Sequence, residues 1–264
     1  MRLCLAVLAL WSVFSMSSLS AEDLADRFEK RIFEADGAKL GYRFLAPKAF
    51  LAGKVKDGEK FPLVIFLHGA GERGDDNTAQ LIHGVKRFAQ DDFLEKYPCF
   101  VVAPQCPNEE IWASFSWLEP EKGMQEEPTE PMSLLVKAID NLEKALPIDS
   151  QRIYVTGLSM GGYGTWELAI RHPKRFAAIA PVCGGADLSK LAVIKDVPTW
   201  VFHGAKDGAV KVERSREAIE TLKNVGGKPI YTEYPEVGHD SWNNAYADLK
   251  FYEWLFAQKL PAAK

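Results

Sequence analysis

A run of strand formers, Ile153-Tyr154-Val155-Thr156, passes without a linker into Gly157-Leu158-Ser159-Met160-Gly161-Gly162-Tyr163-Gly164-Thr165-Trp166. Glycine loses the most backbone entropy on folding and is disfavoured in strands and helices alike, so its clustering here needs a steric reason. A strand that turns sharply into a helix supplies one. The residue at the apex takes an unfavourable backbone conformation, and neighbours without a Cβ make room for it. The pattern Gly157-x-Ser159-x-Gly161, with a strand before it and a helix after it, is the setting of a nucleophile elbow that holds Ser159 in the open. The helix that follows aims its first amides at the same point, where a developing oxyanion would be stabilised.

The rest of the chain repeats the strand-then-helix rhythm. Short apolar runs at 62–68, 100–104, 152–157, 177–183, 198–203 and 229–234 lack the alternation of a half-exposed strand, which suits strands buried on both faces of a parallel sheet. Residues 40–46 alternate like an early antiparallel strand. Helical periodicity lies between these runs. Leu134, Leu135, Ala138, Ile139 and Leu142 form one stripe over 132–145, closed by Pro147, and further helices are expected over 162–171, 211–225 and 245–258. This order predicts a doubly wound α/β sheet, mostly parallel and flanked by helices, in a single domain over 22–264. A chain of 264 residues, 47% hydrophobic and 26% charged, is long enough for such a core. Its formal net charge of −4, with no basic block, argues against nucleic acid as a partner.

The first residues stand apart. Arg2, an apolar run from Leu3 to Phe14 and then small residues have the layout of a secretory signal peptide over 1–21, cleaved near Ser20 or Ala21. The run is short for a membrane span. A secreted or periplasmic protein is expected, with no membrane attachment after cleavage. Cys99, Cys106 and Cys183 then remain. Cys99 and Cys106 flank an extended run that would hold them roughly 20 Å apart, well beyond disulfide reach, so no structural disulfide is expected.

A serine needs a base, and the base needs an orienting acid. Five histidines are available. His239, in EVGHDSW, follows the last strand on a loop, with Gly238 beside it giving the ring freedom to reach across. His68 and His203 end strands and read as loop braces; His83 and His172 lie in helix-like segments. Asp207, in HGAKDGAV, lies just past the strand that ends at His203, at the edge where active sites of open α/β sheets collect. Among its rivals, Asp196 precedes its strand, Asp240 adjoins the histidine, and Asp187 is the live alternative. The oxyanion hole is expected from the backbone amides of Met160 and Ala70, the latter in the loop HGAGERGDDN. The charged tail of that loop, Glu72-Arg73-Gly74-Asp75-Asp76, is expected to lock its shape by an internal ion pair, which makes Glu72 and Arg73 candidate supports of the site. One long segment, 105–131, holds seven Glu, four Pro and two Trp, too long for an ordinary connection. Trp112 and Trp117 there, and Trp242 beside the histidine, are candidate pocket walls.

Together LHGAGERGDDN, YPCFVVAPQC, YVTGLSMGGYGTW, FHGAKDGAV and GHDSW resemble secreted α/β-hydrolase esterases of the phospholipase/carboxylesterase and prolyl-oligopeptidase-like group. The likeness runs from about Tyr42 to Phe256. It implies Ser159 as nucleophile, His239 as base and Asp207 as its partner, with no metal and no organic cofactor. Lys211 departs from the pattern, since relatives usually carry proline there. The expected activity is cleavage of carboxylic esters, either small molecules or acyl groups linked to a polymer such as acetyl or feruloyl groups on plant polysaccharides, with no obligate protein partner. A serine peptidase acting on short peptides would use the same residues, and a non-catalytic binding protein could keep the same shell.

Overall fold

The computed structural model describes residues 21–115 and 122–261. The expected leader lies outside the described residues except for Ala21, and so does Trp117. In chain order the elements are α1 (Ala21–Asp26), β1 (Glu29–Ala35), β2 (Ala38–Leu45), α2 (Lys48–Leu51), β3 (Phe61–Leu67), α3 (Asp91–Lys96), β4 (Phe100–Pro104), α4 (Glu130–Ala145), β5 (Ile148–Leu158), α5 (Met160–Arg171), β6 (Ala178–Val182), β7 (Trp200–Gly204), α6 (Glu213–Asn224), β8 (Ile230–Tyr234), α7 (Trp242–Ala247) and α8 (Leu249–Ala257). The strands form one sheet in the order β1-β2-β4-β3-β5-β6-β7-β8. β1 and β2 pair antiparallel, as do β2 and β4, and every pairing from β4 to β8 is parallel.

Strand alternation divides the interior into two layers. Leu63, Ile65 and Leu67 of β3 face a core built with Leu135, Ile139 and Leu142 of α4, Trp166 of α5, and Ala218 and Leu222 of α6. Val64 and Phe66 face the opposite core, with Phe88, Phe93 of α3, and Phe251, Tyr252 and Leu255 of α8. All seven residues of β3 are buried, so the unbroken apolar run reflects a strand covered on both sides. This is the α/β-hydrolase fold.

Several boundaries differ from the periodicity. β5 begins at Ile148 rather than near 152, and the strand β1 shows no apolar run because its outer face is exposed. The helix expected over 245–258 is two helices. Asp248 ends α7 in an extended conformation and caps α8, its side chain accepting from the Lys250 amide.

The segment after β4 is held down where it is described. Glu167 of α5, fully buried, accepts from the amide and hydroxyl of Ser114 (2.6 and 3.0 Å) and from Arg171 Nε (2.8 Å). Arg171 in turn donates to the carbonyls of Gln125 and Glu126. Thr129 caps α4 and also donates to the Trp112 carbonyl at 3.0 Å.

Candidate active site

β5 ends at Leu158 and α5 begins at Met160, leaving Ser159 as the single residue of the turn. Its φ of 52° and ψ of −118° lie outside the regions open to most L-residues. A strained turn of this kind persists only where its surroundings impose it, and the glycines provide those surroundings. A Cβ on Gly157 would lie 2.5 Å from the Gly161 carbonyl oxygen, and one on Gly161 would lie 2.0 Å from the Leu67 carbonyl oxygen. The end of β3 therefore touches the first turn of α5 backbone to backbone.

Three loops at the C-terminal edge of the sheet bring the remaining groups together. His239 sits between β8 and α7, and Asp207 follows β7. His239 Nε2 is 2.9 Å from Ser159 Oγ, and His239 Nδ1 is 2.7 Å from Asp207 Oδ2. A Cβ on Gly204 would fall 2.1 Å from the Gly238 carbonyl oxygen, so the acid and histidine loops also meet main chain to main chain. Asp207 Oδ1 accepts from the amides of Ala209 and Val210 at 2.8 and 2.9 Å. Burial alone would raise the Asp207 carboxyl, but hydrogen bonds from His203 and His239, then from the two amides, outweigh it and hold the group far below the usual carboxylate range. The carboxylate thus keeps His239 Nδ1 protonated and leaves Nε2 free to take a proton from Ser159.

The two amides expected to form an oxyanion hole each open a helical turn. Met160 opens α5 and Ala70 opens a 3-10 turn, Ala70–Glu72, so their amides face outward from the starts of those turns. A Cβ on Gly69 would stand 3.6 Å from Ser159 Cβ, which places this loop directly against the elbow. His68 fixes the loop from below. Its Nδ1 donates to the Gly69 carbonyl at 2.6 Å and its Nε2 accepts from the Cys106 amide at 2.9 Å.

Other sequence expectations are redirected. Arg73 forms no ion pair with Glu72 among the described residues; its guanidinium donates to the Ala70 carbonyl (3.0 Å) and the Glu110 carbonyl (3.4 Å), and so braces the loop through the backbone. Glu72 is buried and faces His83 Nε2 at 3.5 Å instead. Trp112 is core and not pocket wall. It is fully buried, packs edge-on against His68 and donates to the His68 carbonyl at 3.2 Å. Trp242 does reach the site, its ring edge-on to His239 with centroids 5.3 Å apart. Asp187 is engaged elsewhere, accepting from the Met124 amide and from Ser189. Asp196 pairs with Lys195 and Asp240 with Asn243.

Cys99, Cys106 and Cys183 are buried free thiols. Cys183 was not singled out by any motif, yet its sulfur lies within 4.8 Å of the donor atoms of Asp207 and His239, the one such grouping among the described residues. Burial pushes its thiol up to about 12, so it stays protonated beside the two hydrogen-bonded groups. His203 also escaped the motif reading as anything more than a brace. The only signal was repetition: FLHGA and FHGA both end a buried strand in His-Gly.

An α/β-hydrolase sheet with a serine, histidine and aspartate in hydrogen-bonding sequence at its C-terminal edge defines a serine hydrolase class of architecture. The phospholipase/carboxylesterase family profile matches residues 54–252. The chain belongs to that family and is, at that level, a carboxylic ester hydrolase. It is similar to a crystallised thermostable esterase, with 41% identity and a TM-score of 0.80 over 89% of the chain, and spans 64% of that esterase's length. A probable carboxylesterase of Oryza sativa subsp. japonica is 24% identical over 67% of the chain and 80% of its own length. A poly(3-hydroxyalkanoate) depolymerase C of Paucimonas lemoignei is 30% identical over 63% of the chain and 45% of its own length.

Proposed function

We propose that the protein is an exported serine esterase that cleaves short-acyl esters, or acetyl and feruloyl groups carried on plant polysaccharides, through an acyl-enzyme. The observation that carries this reading is the unbroken chain Asp207 Oδ2–His239–Ser159 Oγ, with the serine at a strained elbow. Ser159 Oγ attacks the ester carbonyl while His239 Nε2 takes its proton. The amides of Met160 and Ala70 receive the oxyanion. His239 returns the proton to the departing alcohol, then deprotonates a water that attacks the acyl-enzyme and frees Ser159. Asp207 stays ionised throughout and stabilises the charged ring. The leader-like residues 1–21 support export, and the likeness to a polymer-ester depolymerase supports a polymer-linked substrate.

The test is hydrolysis of p-nitrophenyl acetate, butyrate and octanoate, methyl ferulate and a peptide anilide by wild type and Ser159→Ala. Ester turnover that disappears in Ser159→Ala is expected. Turnover surviving the substitution refutes the role of Ser159, and turnover of the anilide alone assigns the protein to the peptidases.

A further inference from the structure

His203 is fully buried at the end of β7, in contact with the carboxylate that orients His239. Its Nε2 lies 3.1 Å from Asp207 Oδ2 and 3.0 Å from the Val210 carbonyl oxygen. Both neighbours are acceptors, so Nε2 carries the hydrogen and donates to them. Its Nδ1 is 2.7 Å from Ser215 Oγ, whose single hydrogen has this nitrogen as its nearer acceptor and the Gly184 carbonyl, at 3.3 Å, as the farther one. The ring is therefore locked in one tautomer by a partner on α6, at a position where no water reaches it. Asp207 Oδ2 receives two imidazole N–H groups at once, from His239 and from His203, and Oδ1 receives two amides.

We propose that His203 is a positioning residue for the esterase reaction, a second imidazole that shares Asp207 Oδ2 with His239 and thereby sets the pH at which His239 becomes a working base. The inference rests on the catalytic roles proposed above. A carboxylate oxygen already occupied by His203 attracts the His239 proton less strongly. With that donor gone, Asp207 would favour the charged form of His239, and activity would require a higher pH. Other titratable or charged groups around this cluster are the Cys183 thiol and the Tyr163 phenol on one side, the latter near Arg214 of α6, then Asp240 on the histidine loop, and Glu233 of β8, which is itself bound to Arg216 of α6.

Two amide substitutions separate donation from shape. In His203→Gln the side-chain NH2 can occupy the place of Nε2 and still donate to Asp207. In His203→Asn the shorter amide falls at the place of Nδ1, keeps Ser215 and leaves Asp207 without this donor. The readout is the pH profile of kcat/KM on p-nitrophenyl butyrate, with Ser159→Ala as the control. The acid limb of His203→Asn is expected to move up by about half to one pH unit, roughly half of the one to two units that a hydrogen bond to a charged group is worth, because the lost donor acts on His239 through Asp207, while His203→Gln keeps the wild-type limb. Equal limbs in all three, or equal displacement in both variants, would overturn the proposal and leave His203 as packing. Activity persisting in Ser159→Ala would remove the catalytic reading itself; an inactive Ser159→Ala with unmoved limbs removes only the role of His203. Nitrogen-15 histidine spectra of the wild type decide the matter even where a variant does not fold. A proton on His203 Nε2 is expected, and a proton held on Nδ1 with Nε2 bare would refute the donation to Asp207.

Discussion

Replacing Glu167 by alanine should loosen the segment after β4 and destabilise the whole domain. Glu167 is fully buried, and its two carboxylate oxygens serve three donors, the Ser114 amide and hydroxyl and Arg171 Nε. Alanine leaves the Ser114 amide and one edge of a mostly buried guanidinium without an acceptor. Breaking a buried ion pair from one side costs about 3–5 kcal/mol. Arg171 keeps the carbonyls of Gln125 and Glu126 and a contact to Ser114 Oγ, which places the loss at the lower end, about 3 kcal/mol. For a domain of this size that corresponds to a fall in Tm of about 6–12 °C. Glu167→Gln keeps one acceptor oxygen and should lose about half as much. Urea unfolding followed by tryptophan fluorescence measures the difference, and limited trypsin digestion reports faster cleavage after Lys122 in Glu167→Ala. A loss below about 1 kcal/mol, typical of a surface pair, would refute the claim that α5 anchors this segment.

Two further outcomes follow from the backbone and from His68. Burial holds His68 down, from 6.5 to about 4. The unfolded chain therefore binds a proton between those values that the folded chain refuses, and stability should fall by about 3 kcal/mol as pH drops from 6.5 to 4; His68→Gln, which does not titrate, should lose that part of the slope in pH-dependent urea unfolding. Gly161→Ala would set a methyl 2.0 Å from the Leu67 carbonyl oxygen and 2.7 Å from that of His68. The end of β3 and the oxyanion loop must then shift, and kcat should drop by about 100-fold; ester turnover within a few-fold of wild type would contradict the close approach.

The inner parallel strands β3, β4 and β6 were legible because burial on both faces writes an unbroken apolar run, whereas β8, parallel but at the sheet edge, has no buried residue. β1 was not, since an exposed edge strand leaves no such run. Ser159, Asp207 and His239 stood out because each follows a strand that ends at the same edge of the sheet. The neighbours of these residues were hidden for a different reason. Trp112 and Trp242 look alike in sequence, but only three-dimensional packing sends one beneath His68 and the other against His239. Likewise, Glu72 and Arg73 adjoin in the chain while their side chains diverge to His83 and to two carbonyls. His203 acts through an aspartate four residues on and a serine twelve residues on, spacings that no periodicity marks.

The contacts of Gly157, Gly161 and Gly204 have a consequence for how such a protein can change. The end of β3 meets the turn bearing Ser159, and the Asp207 loop meets the His239 loop, through peptide groups in direct contact, with no side chain between them. The described stretches 107–115 and 122–129 are fastened instead by side chains, chiefly Glu167, Arg171 and Thr129. The two kinds of attachment can vary independently. Substitutions in the fastened stretches change what packs against Tyr163 and Val210, beside the Asp207 loop, while the peptide-to-peptide joints keep the reacting atoms in register. Lineages sharing this frame are therefore free to vary that outer layer without reassembling the chemistry.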